Sequence, residues 1–173
     1  MKLTDSPDNL EMEIIPDDDA SFERITEILH AGYAQLSAMG FNYVAVDQPV
    51  EVTRERASAG ECYVIKKDSE IVGTVTLMPP TSGTYHPYFA RPDVAVFGQF
   101  AIDPNLQQSG IGRHVIAFLE DRARDLGARK LACNTAEGAT HLVAWYHKMG
   151  FETVEKTNWP HAVYTSLIFS KTL

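Results

Sequence analysis

The spacing of apolar residues changes several times along the chain, and each change marks a predicted element. A short apolar run at Met12–Ile15 predicts a strand. Between Ser21 and Met39, apolar residues return every third or fourth position, which places them on one face of a helix. Pro49 then precedes a shorter helical pattern over Val50–Ala59. The first part of the chain therefore predicts one strand followed by two helices.

Strand-like runs dominate the middle of the chain. Cys62–Lys66 and Ile71–Met78 flank a short polar segment, an arrangement typical of a β-hairpin. A loop containing proline, glycine and several aromatic residues follows, and Val94–Ile102 predicts a third strand after it. The hairpin predicts antiparallel pairing of the first two of these strands.

The second half alternates helices with strands. Its clearest helix is predicted over Ile111–Leu126, where the apolar residues share one face. A short strand at Lys130–Asn134 and a helix from about Ala136 to Met149 follow, and two further strands are predicted at 151–157 and 163–170. Early hairpins combined with later strand–helix–strand units predict an α/β (α+β) fold, with a mixed central sheet of six to seven strands flanked by about four helices. No repeat or linker divides the sequence, so we expect a flexible acidic tail at residues 1–10 and a single domain over residues 11–173.

Composition narrows the classes of partner. A net charge of −8 without any basic run argues against nucleic acid and anionic membranes as partners. Cys62 and Cys133 are too few for a disulfide framework and lack metal-ligand spacing, so we expect buried thiols and no metal site. No signal segment opens the chain and no apolar stretch approaches the ~20 residues of a membrane helix, which favours the cytoplasm.

A glycine turn, Gln107–Gly112, joins the third predicted strand to the clearest helix. Backbone N–H groups at a helix start lack partners within the helix and attract phosphate, and glycine lets a phosphate approach them closely. The turn does not match a Walker-type loop, because Gly112 is followed by Arg113 and His114 rather than by lysine and a hydroxyl residue. The turn does not match a dinucleotide-binding fingerprint either, because Val115 stands where the third glycine or alanine of that motif belongs.

The same turn matches the pattern Gln/Arg-x-x-Gly-x-Gly/Ala, which resembles the coenzyme-A-binding motif of the GNAT superfamily of acyltransferases. The downstream segment Asn134–Phe151 is similar to a second motif of that family, Asn-x-x-Ala…Leu-Tyr-x-x-x-Gly-Phe. The resemblance spans roughly Cys62–Phe169. It implies a GNAT-like fold and an N-acetyltransferase that uses acetyl-CoA as co-substrate to acetylate a primary amine. The acidic composition, rather than the resemblance, favours a small cationic amine as the acceptor.

The resemblance assigns two groups of residues to acetyl-CoA. The turn's amides would hold the pyrophosphate, while the strand before it would splay from its neighbour and pair with the pantetheine arm, a backbone N–H polarising the thioester. Asn134 often contacts the pantetheine in the family, and its spacing to Glu137 also predicts a capping box for the following helix. The expected cofactor-binding residues are Phe100, Ala101, Ile102, Gln107, Gln108, Ser109, Gly110, Ile111, Gly112, Arg113 and Asn134.

Tyr146 is the catalytic residue that the resemblance implies. Helical spacing by itself is typical of a core tyrosine at this position. In the family, however, the tyrosine of Tyr-x-x-x-Gly-Phe usually lies beside the acetyl-CoA sulfur. A phenol with an ordinary pKa of ~10 stays protonated at neutral pH, so it can donate a proton to coenzyme A as it leaves as a thiolate.

The general base is open at this stage. Many relatives carry glutamate where this chain has Gln99, and glutamine cannot titrate. His86, Asp93 and His161 are alternative bases, and the amine can instead bind already deprotonated. Substrate contacts are expected from Tyr85, His86, Gln99 and Trp159.

Two other functions stay open on the sequence. A non-catalytic acyl-CoA-binding sensor module would keep the coenzyme site without turnover, and a nucleotide-binding enzyme would use the glycine turn for a different phosphate. The final strands of many family members pair across dimers, so the resemblance also allows a homodimer.

Overall fold

A seven-stranded sheet forms the centre of the computed structural model, which describes residues 9–81 and 86–173. The order of the strands is β1-β2-β3-β4-β5-β7-β6, and every neighbouring pair is antiparallel except β4–β5. The predicted mixed sheet is therefore confirmed. The strands are β1 (Leu10–Ile14), β2 (Glu61–Lys67), β3 (Glu70–Met78), β4 (Val94–Ile102), β5 (Lys130–Ala136), β6 (Glu152–Asn158) and β7 (Thr165–Thr172).

Four α-helices cover the two faces of this sheet: α1 (Asp19–Ala38), α2 (Val50–Ala57), α3 (Ile111–Asp125) and α4 (Thr140–Lys148). Neighbouring residues of β2 show which helices cover each face, because successive side chains of a strand point in opposite directions. Val64 packs with Ile25 of α1, whereas the next residue, Ile65, belongs to the core that contains Val115 of α3 and Tyr146 of α4. The sheet thus has α1 and α2 on one side and α3 and α4 on the other.

The start of α4 differs from the prediction. The helix was expected from about Ala136, but β5 continues to that residue because it pairs with β7 as far as Ala136 and Ser166. Ala139 precedes the first helical residue and makes no side-chain capping bond. Asn134 lies inside β5, so the capping box predicted for Asn134 and Glu137 is wrong.

The N-terminal edge also differs slightly from the prediction. β1 begins at Leu10, which pairs with Lys67 and is buried. The sheet therefore starts one residue before the predicted domain boundary. Residues 1–8 of the expected tail lie outside the described residues.

A single methyl group at Gly60 should destabilise the sheet. A Cβ there would lie 2.2 Å from the carbonyl oxygen of Leu77 and 2.9 Å from the Cα of Met78, and backbone of a paired strand cannot move aside cheaply. We expect Gly60→Ala to lower the free energy of unfolding by about 3 kcal/mol, measured by denaturant titration. Gly98→Ala is the matched control, since its Cβ would meet only the end of Met78, at 3.8 Å. Equal stability of the two variants would contradict this reason for Gly60.

Candidate active site

β4 and β5 separate partway along their length. They pair at only three positions, ending with Val96 and Ala132, although β4 continues along β3 and β5 continues along β7. A bulge in β4 accompanies the separation: Gln99 has a φ of +47°, and β4 gains one residue relative to β3. We call the gap between 97–102 of β4 and 133–136 of β5 the fork. The predicted splay of the strand before the glycine turn is confirmed.

The glycine turn presents unused backbone donors at the start of α3. Gly110 caps the helix with a φ of +88°, and a Cβ on it would meet nothing within 4 Å, so the space beside it is open. Among the described residues, no acceptor takes a hydrogen bond from the backbone N–H groups of 108–112. The N–H of Arg113, expected as a further phosphate donor, instead donates to Gly110 O at 3.1 Å. Its exposed guanidinium still adds a positive charge to the first turn of α3.

Gly112 has a packing role that its motif did not reveal. A Cβ at this position would lie 3.0 Å from the ring of Trp145, so the glycine lets α3 approach α4 closely. The Trp145 ring also contacts those of Phe100 in β4 and Tyr146, with centroids 6.2 and 5.1 Å away. The turn is therefore packed through one indole against the helix that carries the predicted catalytic tyrosine.

Tyr146 lies at the base of the fork. Its ring contacts that of Phe97, with centroids 6.2 Å apart, and its hydroxyl lies next to the Cys133 thiol. Phe97 and Cys133 each directly follow the last paired residue of their strand. Burial raises the pKa of Tyr146 well above 10, and the neighbouring Cys133 and Tyr33 act in the same direction. The side chain is thus a protonated phenol in the angle between the two strands.

A cavity of about 230 Å³ extends from the fork on the α1–α2 side of the sheet. Residues 96–99 of β4 line it, and the rings of Tyr33, Tyr43, Tyr164 and Trp159 contribute to its walls. Because Phe97 both lines the cavity and contacts Tyr146, the cavity reaches the base of the fork.

Most of the predicted substrate residues lie at or beside this cavity. Gln99 and Trp159 line it, and so does Asn134, which was assigned to the coenzyme. His86 packs against the Trp159 ring, with centroids 5.6 Å apart, but does not line the cavity. Tyr85 lies outside the described residues.

The two amides in the cavity wall are held by hydrogen bonds. Gln99 is buried, and its Oε1 accepts from Nε2 of Gln48 at 2.9 Å. Asn134 accepts a hydrogen bond from the indole Nε1 of Trp159 at 3.2 Å through Oδ1. Asn134 therefore orients the indole rather than capping α4.

The three alternative bases occupy different places. Asp93 comes just before β4, at the end of the strand away from the fork. There the Arg91 guanidinium, 3.1 Å away, holds the pKa of this carboxyl below its usual range. His86 accepts the N–H of Tyr88 at Nδ1. Only His161 of the three lines the cavity.

Sequence reasoning missed the contributions of α1 and α2 to the cavity. Tyr33, Tyr43 and Arg56 line it, yet they come from three separate segments and form no motif. Nothing in the local pattern marks them, because their meeting point is set by how α1 and α2 pack on the sheet. Burial raises the pKa of Tyr33 to about 12, while the Arg56 charge opposes that rise.

The described part of the chain holds no group of three or more histidine, cysteine, aspartate or glutamate side chains placed to bind a metal ion. Nor does any helix within residues 9–81 and 86–173 combine the length and apolar character needed to cross a bilayer. Both cysteines, Cys62 and Cys133, are free and buried as predicted.

Comparison with known families gives one match over most of the chain. The family described as acetyltransferase (GNAT) family matches residues 23–151. An S-(2-succino)cysteine N-acetyltransferase of Bacillus subtilis (strain 168) is 26% identical over 131 residues, covering 75% of this chain and 77% of the relative.

Solved structures share the fold at low sequence identity. The PH1933 protein from Pyrococcus horikoshii OT3 has a TM-score of 0.75 at 18% identity, covering 95% of this chain and 99% of that one. A GNAT family acetyltransferase from Elizabethkingia anophelis, solved with acetyl-CoA bound, has a TM-score of 0.68 at 17% identity, covering 96% of this chain and all of that chain (100%). The predicted GNAT-like fold is confirmed.

Proposed function

The chain belongs to the acetyltransferase (GNAT) family, and we propose that it transfers the acetyl group of acetyl-CoA to the primary amine of a small molecule. The observation that carries this proposal is the position of Tyr146. It lies at the base of the fork, with the unused amides of the glycine turn beyond one end of β4 and a cavity on the other face of the sheet. The relative named for S-(2-succino)cysteine supports a small molecule as the acceptor.

The residues present fit the coenzyme. The free amides of 108–112 and the guanidinium of Arg113 suit a pyrophosphate, since a helix N-terminus with open space beside it favours an anion. The backbone of 100–102, where Ala101 and Ile102 pair with β3 and the other edge faces the fork, suits the amides of the pantetheine arm. Acetyl-CoA supplies the activated acetyl group as a thioester.

Two groups of this chain act on the reacting atoms. Backbone N–H groups of β4 that face the fork stabilise negative charge on the thioester oxygen. The Tyr146 hydroxyl donates its proton to the sulfur when the carbon–sulfur bond breaks, and its high pKa keeps that proton available at neutral pH. The amine enters from the cavity and attacks in its neutral form. Its nitrogen loses a proton to solvent water as the amide forms, and a proton from solvent then restores the phenol of Tyr146.

Two measurements test the proposed function. Acetyl-CoA should raise the melting temperature, whereas ATP and NAD at the same concentration should not, because both nucleotide motifs fail in the glycine turn. Release of free thiol from acetyl-CoA should then depend on an added primary amine. Stabilisation by acetyl-CoA without thiol release from a broad amine panel would instead support the sensor module. Stabilisation by ATP or NAD alone would contradict the coenzyme assignment.

The pH dependence of turnover follows from the raised pKa of Tyr146. A general acid works only while it is protonated, so a pKa raised above 10 keeps Tyr146 active up to higher pH. We expect kcat to rise or stay level between about pH 7 and pH 9.5, as more of the amine becomes neutral. A decline in kcat with a midpoint below about pH 9, at which the fold remains intact by circular dichroism, would contradict Tyr146 as the acid.

A further inference from the structure

Arg56 places a positive charge in the wall of the cavity beside the fork, which we call the acceptor cavity. It lies in the last turn of α2, is half-buried, and lines the cavity together with Gln99. Its Nη1 donates to Oε1 of Gln48 at 2.5 Å. The guanidinium carries five N–H donors, so this one bond leaves most of its hydrogen-bonding capacity unused.

No carboxylate within the described residues neutralises this charge. Arg56 forms no ion pair there, and neither aspartate nor glutamate lines the cavity. The chain as a whole has a net charge of −8. A cavity that contains an arginine and excludes acids, in a protein this acidic, has a local field that attracts an anion.

Two phenols in the same cavity add neutral donors. Tyr33 and Tyr164 line the same cavity as Arg56, and their rings pack against that of Tyr43, with centroids 5.3 and 5.0 Å away. Burial raises the pKa of both phenols, while the Arg56 charge opposes that rise. Both stay protonated at neutral pH. Among the described residues, neither hydroxyl has a hydrogen-bond partner, whereas that of Tyr43 bonds to Thr135 Oγ1 at 2.7 Å. Arg56, Tyr33 and Tyr164 therefore all offer hydrogen-bond donors to the same cavity.

The Gln48 amide fixes this end relative to the fork. Its Oε1 accepts from Arg56 and its Nε2 donates to Gln99 at 2.9 Å and to Thr53 Oγ1 at 2.7 Å. The Gln48 carboxamide thus links the Arg56 guanidinium to Gln99, at the bulge of β4, through two hydrogen bonds. A cavity of about 230 Å³ is below the range of ~300–1,000 Å³ that drug-sized ligands occupy, so it suits a small acceptor.

We propose that the acceptor is an amino acid, whose carboxylate binds Arg56 while its amine lies at the fork. This inference rests on the proposed acetyl transfer and specifies its substrate class. A planar carboxylate accepts two parallel hydrogen bonds from a guanidinium, and the phenols of Tyr33 and Tyr164 supply further donors in the same cavity. Arg56 is then the residue that selects acids over neutral amines.

The test compares each amino acid with its own amide. The standard L-amino acids, S-substituted cysteines and the corresponding L-amino acid amides are assayed for thiol release from acetyl-CoA. Each pair keeps the side chain and the amine and differs in the charge at the carboxyl carbon. The α-amino group of an amino acid amide is more easily deprotonated than that of the acid, so more of it is neutral and reactive. This difference works against the predicted preference for acids. For the best acid, kcat/KM should exceed that of its amide by about tenfold or more, mainly through KM.

Substitution of Arg56 separates recognition from structure. Arg56→Gln should lower kcat/KM for the acid by about 30-fold and leave that for the amide within about threefold, and Arg56→Lys should fall between. Arg54→Gln is the matched control: Arg54 lies on the same helix, pairs with Asp17 and Asp19, and does not line the cavity. It should keep the preference for acids.

Three results decide the proposal. Preference of the wild-type protein for acids, lost in Arg56→Gln, supports it. Equal kcat/KM for acids and amides in the wild-type protein overturns it while leaving acetyl transfer intact, and that comparison needs no folded variant. An equal loss for acids and amides in Arg56→Gln also overturns it, because a purely structural arginine would affect both. Absence of thiol release from every amine would overturn the proposed function itself.

Discussion

Replacing Tyr146 by phenylalanine should lower kcat by about 100- to 1,000-fold, because proton donation by a positioned side chain contributes about that much. The variant keeps the ring that contacts Phe97 and Phe169 and loses only the hydroxyl beside Cys133. The affinity for acetyl-CoA should stay within about threefold, since the hydroxyl acts when the carbon–sulfur bond breaks. Steady-state thiol release and calorimetric titration with acetyl-CoA measure the two quantities.

Tyr63→Phe is the control for this experiment. Tyr63 is another buried tyrosine of the same core, and its hydroxyl donates to the Glu61 carboxylate at 2.6 Å. Loss of that bond should lower the free energy of unfolding by about 1 kcal/mol without changing kcat. If Tyr146→Phe retained the kcat of Tyr63→Phe, the hydroxyl of Tyr146 would not be the acid.

Replacing Gly110 by alanine should weaken acetyl-CoA binding by about 10- to 100-fold. The residue has a φ of +88° at the cap of α3, and the added methyl group would project into the open space beside the unused amides. A side chain there holds a phosphate away from the backbone, and the left-handed conformation adds about 1 kcal/mol of strain. The dissociation constant of acetyl-CoA, measured by calorimetry at fixed salt, reports the effect.

Gly127→Ala provides a close control at the other end of the same helix. Gly127 has a φ of +83°, and a Cβ on it would also meet nothing within 4 Å. The two variants should lose similar stability, but only Gly110→Ala should lose affinity for acetyl-CoA. Equal dissociation constants in both variants would contradict the pyrophosphate site at the glycine turn.

The sheet was accessible from sequence because its strands are marked by local signals. The hairpin of β2 and β3 has a polar turn between two apolar runs, and β4 was predicted with its observed bounds of Val94–Ile102. The fork was not visible in apolar spacing and came only from the resemblance. Its physical signature, the bulge at Gln99, depends on pairing with β3, which a single strand cannot reveal.

The segment around Asn134 shows where local patterns mislead. Asn134 and Glu137 have the spacing of a capping box, yet pairing of β5 with β7 extends the strand to Ala136 and places Asn134 within it. Tertiary pairing thus prevails over local capping preference. The cavity shows the same limit, because Tyr33 and Arg56 come to line it only when α1 and α2 pack on the sheet.

A crystal structure of the protein with coenzyme A bound should show the pyrophosphate on the amides of 108–112 and the pantetheine arm in the fork along 100–102. The sulfur should lie within hydrogen-bonding distance of the Tyr146 hydroxyl, facing the cavity that contains Arg56. A pyrophosphate bound elsewhere, or a sulfur remote from Tyr146 with the fork closed, would contradict this placement of the coenzyme.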